Sequence, residues 1–117
     1  MPKLIKLPTF SDIRGQLTVI EKALPFDIKR VYYIYRAEGK ERGYHSHKKT
    51  AQALIAVSGS CQIHIKDRND KLCFVLDSPT KCLLLKPQDF HWMNNFSIDC
   101  VLLALASHYY DKNDYID

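Results

Sequence analysis

The sequence predicts an all-β domain built from short antiparallel strands, arranged as a sandwich or a barrel. Apolar, β-branched and aromatic residues occur in short runs, and some of these runs alternate with polar residues. Turn-forming residues separate the runs at regular intervals. No window carries the sustained period of a long, capped helix, except for a possible helical turn around residues 111–115.

The predicted strands follow one another along the chain. Their ranges are 16–21, 30–36, 51–57, 61–66, 71–76, 81–85 and 99–105. A turn at 12–15 precedes the first strand, and a turn at 58–60 ends the third. In the fourth strand Ile63 and Ile65 alternate with polar residues, as in a strand with one buried face, and a turn at 67–70 joins it to the fifth as a hairpin.

One domain over residues 1–117 is expected, because the chain is long enough for one hydrophobic core and too short for two. Its net charge of +4 comes from scattered Lys and Arg, which argues against a nucleic-acid partner and suits a small anionic substrate. No apolar run approaches the ~20 residues of a membrane span, and the N-terminus does not resemble a secretory signal. We therefore expect a cytoplasmic protein without a membrane partner, whose four cysteines are reduced.

Two histidines, His45 and His47, are the main candidates for an active site. Residues i and i+2 of a strand point to the same face, so both imidazoles can converge on one ligand. Gly39 precedes the pair with five residues between, and Gln52 and Gly59 follow it. This spacing resembles the first motif of the cupin superfamily, and the resemblance implies a jelly-roll barrel of antiparallel strands, the double-stranded β-helix.

The departures from the cupin motifs indicate a weak metal site at best. Metal-binding cupins carry Glu where this chain has Gln52, and an amide oxygen is a poorer ligand for a divalent ion than a carboxylate. In the second cupin motif Pro87 is followed by Asp89 and Trp92 at the positions of the motif's Gly and His. His91 lies one residue before the position of the motif's histidine. A shift of one residue along a strand directs the side chain to the opposite face. We therefore expect no metal and no cofactor, and histidines that carry protons near neutral pH.

A closer resemblance extends over nearly the whole chain. Its motifs occur in order at residues 12–17 (DIRGQL), 31–35 (VYYIY), 42–48 (RGYHSHK), 105–111 (LASHYYD) and 114–116 (DYI). They resemble those of the dTDP-sugar 3,4-ketoisomerases, metal-independent cupins that convert dTDP-4-keto-6-deoxyglucose to a 3-keto sugar. The resemblance implies a dTDP-linked keto sugar as substrate and a homodimer as the assembly.

The reaction that this resemblance implies needs a base, an acid and a group that stabilises a negative oxygen. A base removes the proton on C3 of the 4-keto sugar, and the enediolate is then protonated at C4. Either His45 or His47 is expected to transfer this proton while the other orients it or shuttles protons between the oxygens. By resemblance, Tyr33 is expected to donate its hydroxyl to the enediolate, and Tyr35 on the same face either assists or packs in the core. Arg42 either stabilises the oxyanion or clamps the diphosphate.

The remaining candidates would bind substrate. Arg14 is either a phosphate ligand or an exposed turn residue, and Lys48 is either a ligand or an exposed charge. Gln52 is expected to form a hydrogen bond with the sugar or with a histidine. His91 and Trp92 are expected at the mouth of the site, where at most one of them faces the substrate because strand neighbours point to opposite faces. Trp92 could instead belong to the core.

Two other functions remain open from sequence. A metal-dependent cupin, such as a dioxygenase or an epimerase, would carry bound iron, nickel or zinc after purification. A non-catalytic cupin that binds sugars or nucleotides would be stabilised by dTDP without turning over any keto sugar.

Overall fold

The computed structural model describes residues 2–67 and 69–117 and is almost entirely β-structure. Its strands, in chain order, are β1 (Lys3–Lys6), β2 (Thr9–Asp12), β3 (Gly15–Thr18), β4 (Arg30–Tyr35), β5 (Arg42–His47), β6 (Gln52–Ser58), β7 (Cys61–Asp67), β8 (Asp70–Leu76), β9 (Lys81–Leu85), β10 (Phe90–Asn94), β11 (Val101–Ala106) and β12 (Tyr115–Ile116). The helical segment of the described ranges is a 3-10 helix, Lys112–Asp114, and no helix there has the length and apolarity to cross a bilayer. The predicted all-β class is confirmed.

The strands form two five-stranded antiparallel sheets. The first sheet has the order β1-β9-β6-β11-β4, and the second has the order β12-β5-β10-β7-β8. From β4 to β11 the chain therefore passes repeatedly from one sheet to the other, with β7 and β8 as the one hairpin inside this set. This is the strand order of a double-sheet jelly roll, the fold that the cupin resemblance implied.

One apolar core lies between the two sheets. Leu54 of β6 and Leu102 of β11 enter it from the first sheet, while Ile63 and Ile65 of β7 enter it from the second, all of them sealed from solvent. The polar neighbours in β7 face outward, as the alternation predicted. Burial of each such side chain contributes about 2 kcal/mol, so the core fixes the position of the inner faces on which the candidate site lies.

The seven predicted strands are all present, with ends shifted by up to three residues. The first ends early, at Thr18. Pro8, just before the partner strand β2, accepts the Val19 N–H at 2.9 Å but has no N–H to donate in return. The predicted hairpin of β7 and β8 is confirmed by its unbroken register, although Arg68 of the predicted turn lies outside the described residues. The 3-10 helix occupies the place of the possible helical turn.

Strands β2 and β3 form a separate hairpin, here called the arm, which pairs with neither large sheet. The predicted turn at its tip is present, where the Arg14 backbone N–H donates to Asp12 Oδ1 at 2.8 Å. Apolar side chains of the arm face solvent, with Phe10 and Leu17 nearly two-thirds exposed and Ile13 fully exposed. The arm is therefore an apolar surface that its own chain leaves uncovered.

Candidate active site

An irregular pairing between β5 and β10 decides which side chains face the core. Trp92 pairs with Gly43 and His91 pairs with His45, so Tyr44 has no partner on β10. A bulge of this kind adds one residue to a strand and resets its alternation. Tyr44 adopts left-handed backbone, with φ of 66°, and packs outside the sheet on Trp92, with ring centroids 5.5 Å apart. His45 is consequently directed to the inner face.

Gly43 allows the two strands to approach at the bulge. Its φ is +96°, a conformation that L side chains rarely adopt. A Cβ atom built at Gly43 would lie 3.0 Å from the backbone oxygen of His91 and 3.1 Å from the Cα of Trp92. Glycine at this position is therefore required both by its dihedral angle and by the close backbone contact.

Three imidazoles meet on the inner face. The ring centroid of His45 lies 5.2 Å from that of His47 and 5.0 Å from that of His91, and the latter two are 6.3 Å apart. The expectation that His91 turns away from the pair is wrong. His91 pairs with the core residue Ile65 of β7, and cross-strand partners share a face, so strand pairing rather than motif spacing sets its direction.

Trp92 and His91 point to opposite faces of β10, as predicted for strand neighbours. The indole of Trp92 stacks between Tyr44 and His64 outside the sheet, with its centroid 5.2 Å from the His64 ring. His64 Nε2 lies 2.7 Å from Asn94 Oδ1, which holds the His64 ring on this outer face. Trp92 therefore lies on the outer face and not at the mouth of the histidine site.

His47 forms a buried hydrogen-bonded pair with Asp114, a residue of the C-terminal tail. His47 Nδ1 lies 3.0 Å from Asp114 Oδ2, and both side chains are almost completely buried. The same carboxylate accepts hydrogen bonds from the Thr50 hydroxyl and, at 2.8 Å, from the Lys49 backbone N–H. Burial raises the pKa of Asp114, but these three bonds outweigh burial and lower that pKa to about 2. The carboxylate is thus ionised throughout the physiological range.

All three imidazoles are neutral at pH 7. Burial is the main cause, because it disfavours the charged form and lowers the pKa of His45, His47 and His91 below 6.5. The effect is strongest for His91, whose pKa falls to about 4. For His47 the neighbouring Asp114 raises the pKa but does not cancel the effect of burial. Neutral imidazoles can accept protons, which general base chemistry requires.

A cavity of about 560 Å³ opens beside the cluster, and His45 is the histidine on its wall. The walls come from β4, β5, β10 and the C-terminal tail. Its lining consists of Arg30, Tyr32, Ile34, Arg42, Gly43, His45, Met93, Tyr110, Lys112, Tyr115 and Asp117. A cavity of about 620 Å³, lined by residue 20 and residues 22–28, is larger, but Lys22 and Asp27 are the charged groups of its lining and its lining contains no imidazole. The chemistry of the smaller cavity makes it the candidate active site.

The structure corrects the assignment of tyrosines on β4. Tyr33 and Tyr35 lie on the outer face, more than half exposed, with their rings 5.9 Å apart and outside the cavity lining. Tyr32 faces inward, where its hydroxyl accepts a 2.7 Å hydrogen bond from Gln52 Nε2. Aromatic residues occupy both faces of this strand, so the sequence pattern did not distinguish the inner set from the outer one.

The other predicted residues divide between the cavity and the surface. Arg42 lies on the cavity wall, and Gln52 is buried against Tyr32. Lys48 is exposed, and its backbone N–H bonds to the carbonyl of Asp114. Arg14 lies at the tip of the arm, paired with Asp12 at 2.6 Å, and does not line the cavity of its own chain.

Several residues of the site were missed from the sequence. The ring of Tyr115 lies 4.9 Å from that of His45 and 4.5 Å from that of His47, and its hydroxyl accepts a 3.3 Å hydrogen bond from Arg30 Nη1. The guanidinium of Arg30 also lies 4.5 Å above the ring of Tyr32. A signal for Asp114 and Tyr115 was present in the 114–116 motif, but nothing in the sequence placed that motif beside β5.

The histidine cluster is not arranged as a metal site. Within residues 2–67 and 69–117, no group of three His, Cys, Asp or Glu side chains is placed to hold a metal ion. The Nδ1 atom of His47 forms a hydrogen bond with Asp114, and the Nδ1 atom of His91 lies 3.1 Å from the carbonyl oxygen of Asp89. The arrangement can therefore accept, hold and return protons beside a cationic cavity.

Comparisons with known proteins agree with this chemistry. A family model described as "FdtA: WxcM-like, C-terminal" matches residues 1–117. A TDP-4-oxo-6-deoxy-alpha-D-glucose-3,4-oxoisomerase of Aneurinibacillus thermoaerophilus is 47% identical over 97% of this chain and 84% of its own length. The sugar 3,4-ketoisomerase QdtA of Thermoanaerobacterium thermosaccharolyticum, solved with TDP, is 45% identical with a TM-score of 0.95 over 98% of this chain and 86% of that one. A histidine-to-asparagine mutant of QdtA in complex with TDP-4-keto-6-deoxyglucose has 44% identity and a TM-score of 0.94, with the same coverage.

Proposed function

We propose that this chain, which belongs to the FdtA family of WxcM-like, C-terminal domains, is a TDP-sugar 3,4-ketoisomerase. The family membership confirms the resemblance drawn from the motifs around His45 and His47. The observation that carries the proposal is a cluster of three neutral imidazoles beside a cavity with cationic walls. By analogy with the relatives, the substrate is a dTDP-linked 4-keto-6-deoxy sugar.

His45 is proposed to move the proton between the carbon atoms, because it lines the cavity while His47 and His91 are buried behind it. Its neutral ring takes the proton from C3, and the electrons of that bond form the C3–C4 double bond of an enediolate. The O3 proton passes to O4, the C3–O3 bond becomes the carbonyl, and His45 returns a proton to C4. No electron leaves the substrate, so this route needs no redox partner.

The anionic groups of the substrate match the cationic wall of the cavity. Arg30, Arg42 and Lys112 all line it and can stabilise the enediolate oxygen and the diphosphate. The Tyr32 hydroxyl, fixed by Gln52, takes the role of hydroxyl donor that was first expected of Tyr33. We assign the oxyanion to Tyr32 and Arg30, and the diphosphate to the less constrained Arg42 and Lys112.

Two copies of the chain are proposed to form the working enzyme. The arm exposes Phe10 and Ile13, and the outer face of β4 exposes Tyr33 and Tyr35. Exposed apolar surfaces of this kind favour association. An arm that packs on a second copy would carry Arg14 to that copy, and this is how Arg14 would become a phosphate ligand. Sedimentation of the wild type as a dimer, and of Ile13→Asp as a monomer, is the expected result, and a monomeric wild type would contradict it.

We also propose that residues 1–117 form one cupin domain of a cytoplasmic enzyme. Both large sheets enclose one core, which supports a single folding unit. The four cysteines carry free thiols, which is the state expected in a reducing compartment. They are Cys61, Cys73, Cys82 and Cys100.

The isomerase proposal is tested with dTDP-4-keto-6-deoxyglucose in deuterated water that contains a chelator. The 3-keto product should form with deuterium at C4, because the proton held by an imidazole exchanges with solvent. His47→Asn should suppress this turnover. Absence of both product and exchange at any carbon would contradict the isomerase function.

The same experiment distinguishes the two alternatives. The comparisons give no support to a metal-dependent cupin, and turnover abolished by the chelator would be needed to restore that function. Thermal stabilisation by dTDP without turnover would instead indicate a non-catalytic binding protein.

A further inference from the structure

We infer that Asp114 is a positioning residue that holds His47 as the Nδ1–H tautomer and supplies the negative charge that stabilises a proton on the histidine cluster. The inference rests on the proposed proton-transfer function and extends it to a residue outside the two cupin motifs. Asp114 belongs to the C-terminal tail, and its carboxylate ends behind the cavity wall rather than on it. It would therefore act through His47 and not on the substrate.

The contacts of the carboxylate fix its own orientation. Oδ1 accepts the Lys49 backbone N–H at 2.8 Å, and Oδ2 accepts the Thr50 hydroxyl. An ionised carboxylate can only accept hydrogen bonds, so His47 Nδ1, 3.0 Å from Oδ2, must be the donor. The low pKa of Asp114 agrees with this polarity, since a protonated carboxyl would be needed for the reverse arrangement.

The other nitrogen of His47 is left as an acceptor without a donor. Among the described residues, His47 Nε2 is the buried side-chain polar atom that has no hydrogen-bond partner. Such an atom is unusual, because buried polar groups are normally paired. The His47 ring packs against the rings of Tyr115 and His45, at centroid distances of 4.5 Å and 5.2 Å, so this nitrogen belongs to the cluster that would receive the proton of the substrate.

The charge of Asp114 matters because the cluster itself has none. His45, His47 and His91 are neutral, and Arg30 is a cation close enough to lower the pKa of His47. An imidazolium formed among these groups is destabilised by burial and by Arg30. The Asp114 carboxylate opposes both at His47, while the Asp117 carboxylate on the cavity wall raises the pKa of His45. The tail is held for this role by backbone pairing of Tyr115 with His47.

The test combines nitrogen NMR of protein with ¹⁵N-labelled histidine and kinetics of Asp114→Asn. The His47 ring of the wild type should show a protonated Nδ1 and an unprotonated Nε2, and the variant should lose this preference. The kcat should fall about 10²-fold with little change in KM, because the charge acts on the proton transfer. The acid limb of the pH profile should move to lower pH in the variant, because loss of the carboxylate lowers the pKa of His47.

Asp111→Asn is the matched control. Asp111 lies on the same tail, and its side chain caps the 3-10 helix through the Asn113 N–H, a bond that asparagine also accepts. This variant should keep the His47 tautomer and the kcat of the wild type. A loss equal to that of Asp114→Asn would mean that the tail charge acts only on folding and would overturn the inference.

The outcomes separate this inference from the proposed function. A wild-type spectrum with the proton on His47 Nε2 overturns the role of Asp114 whether or not Asp114→Asn folds. A wild type that carries the predicted tautomer but turns over no keto sugar leaves the pairing intact and refutes the isomerase function instead. A wild-type kcat in folded Asp114→Asn overturns the inference alone.

Discussion

Two strand pairs of this molecule, β4–β11 and β5–β10, show how one fold provides both a scaffold and a site. All six residues of β4 pair in register with β11, and the pairing has no irregularity. The pairing of β5 with β10 is interrupted between His91 and Trp92. Tyr44, on the opposite strand, has no partner there and adopts a left-handed backbone conformation. The regular pair fixes the core, whereas the bulged pair brings together imidazoles that a regular ladder would not align. The irregular pair is thus where the chemistry is expected.

A substitution that distorts the bulge should have the largest effect on stability and turnover. Gly43→Ala places a methyl group against the backbone of His91 and Trp92 at a φ that alanine resists, so the strands must separate. We expect the free energy of unfolding to fall by about 3 kcal/mol and turnover to fall about 10²-fold as His45 and His91 move apart. Chemical denaturation and a product assay measure both effects.

Gly39→Ala is the control for this prediction. Gly39 also has positive φ, +74°, but a Cβ atom there would meet nothing within 4 Å. The variant should lose about 1 kcal/mol and keep its turnover, since only the backbone preference changes. Equal losses in the two variants would show that the close approach at the bulge is unimportant.

The strand pairs also show what could be predicted from sequence. Alternation predicted the inner face of β7 correctly, because Ile63 and Ile65 are apolar and their neighbours are polar. Motif spacing failed for β10, since the face of His91 depends on its pairing with Ile65, and its position beside His45 depends on a bulge in another strand. These determinants are long-range contacts that carry no local signal.

The tyrosines of β4 were also misassigned from sequence and the contacts of the C-terminal tail were missed, and both errors have the same origin. Tyr32 and Tyr33 are chemically identical and adjacent, so only sheet packing distinguishes the inward ring from the outward one. Asp114 is 67 residues from His47, and their contact depends on the pairing of β12 with β5. The cupin resemblance found the elements of the site, and the structure was needed to identify their inner faces.

The buried imidazoles should make stability depend on pH. The pKa of His91 is about 4 in the folded chain and near 6.5 when exposed, so between these values the unfolded chain binds a proton that the folded chain excludes. Stability present above pH 6.5 is therefore lost as the pH falls toward 4, by up to about 3 kcal/mol. Urea unfolding at pH 7 and pH 4.5 measures the loss.

The matched variants are His91→Gln, on the inner face, and His64→Gln, on the outer face. The first should show a smaller loss of stability on acidification than the wild type, and the second should behave as the wild type does. If acidification destabilised His91→Gln as much as the wild type, burial of this imidazole would not be the cause.

The two adjacent tyrosines of β4 provide a smaller test. Tyr32→Phe removes the hydroxyl that accepts from Gln52 and faces the cavity, so kcat should fall about tenfold. Tyr33→Phe removes an exposed hydroxyl and should change kcat by less than about twofold. Steady-state kinetics measures both kcat values. A larger loss of kcat in Tyr33→Phe than in Tyr32→Phe would restore Tyr33 as the hydroxyl donor that was first predicted from sequence.

The outer face of the bulged pair should give the smallest effect. Trp92→Phe keeps an aromatic ring between Tyr44 and His64 but reduces the stacked area, at a cost of about 1 kcal/mol. Thermal unfolding should show this change while kcat stays within about twofold of the wild type. A marked rise in KM would mean that Trp92 contacts the substrate after all.

We propose above that an imidazole on the inner face of the bulged sheet transfers the proton between C3 and C4. Comparison of His45→Asn with His64→Asn tests it most directly, because the two histidines lie on opposite faces of the same sheet. His45→Asn should still bind dTDP but convert dTDP-4-keto-6-deoxyglucose at least about 10²-fold more slowly, while His64→Asn should turn over as the wild type does. Turnover by His45→Asn within about threefold of the wild type would show that His45 does not transfer this proton.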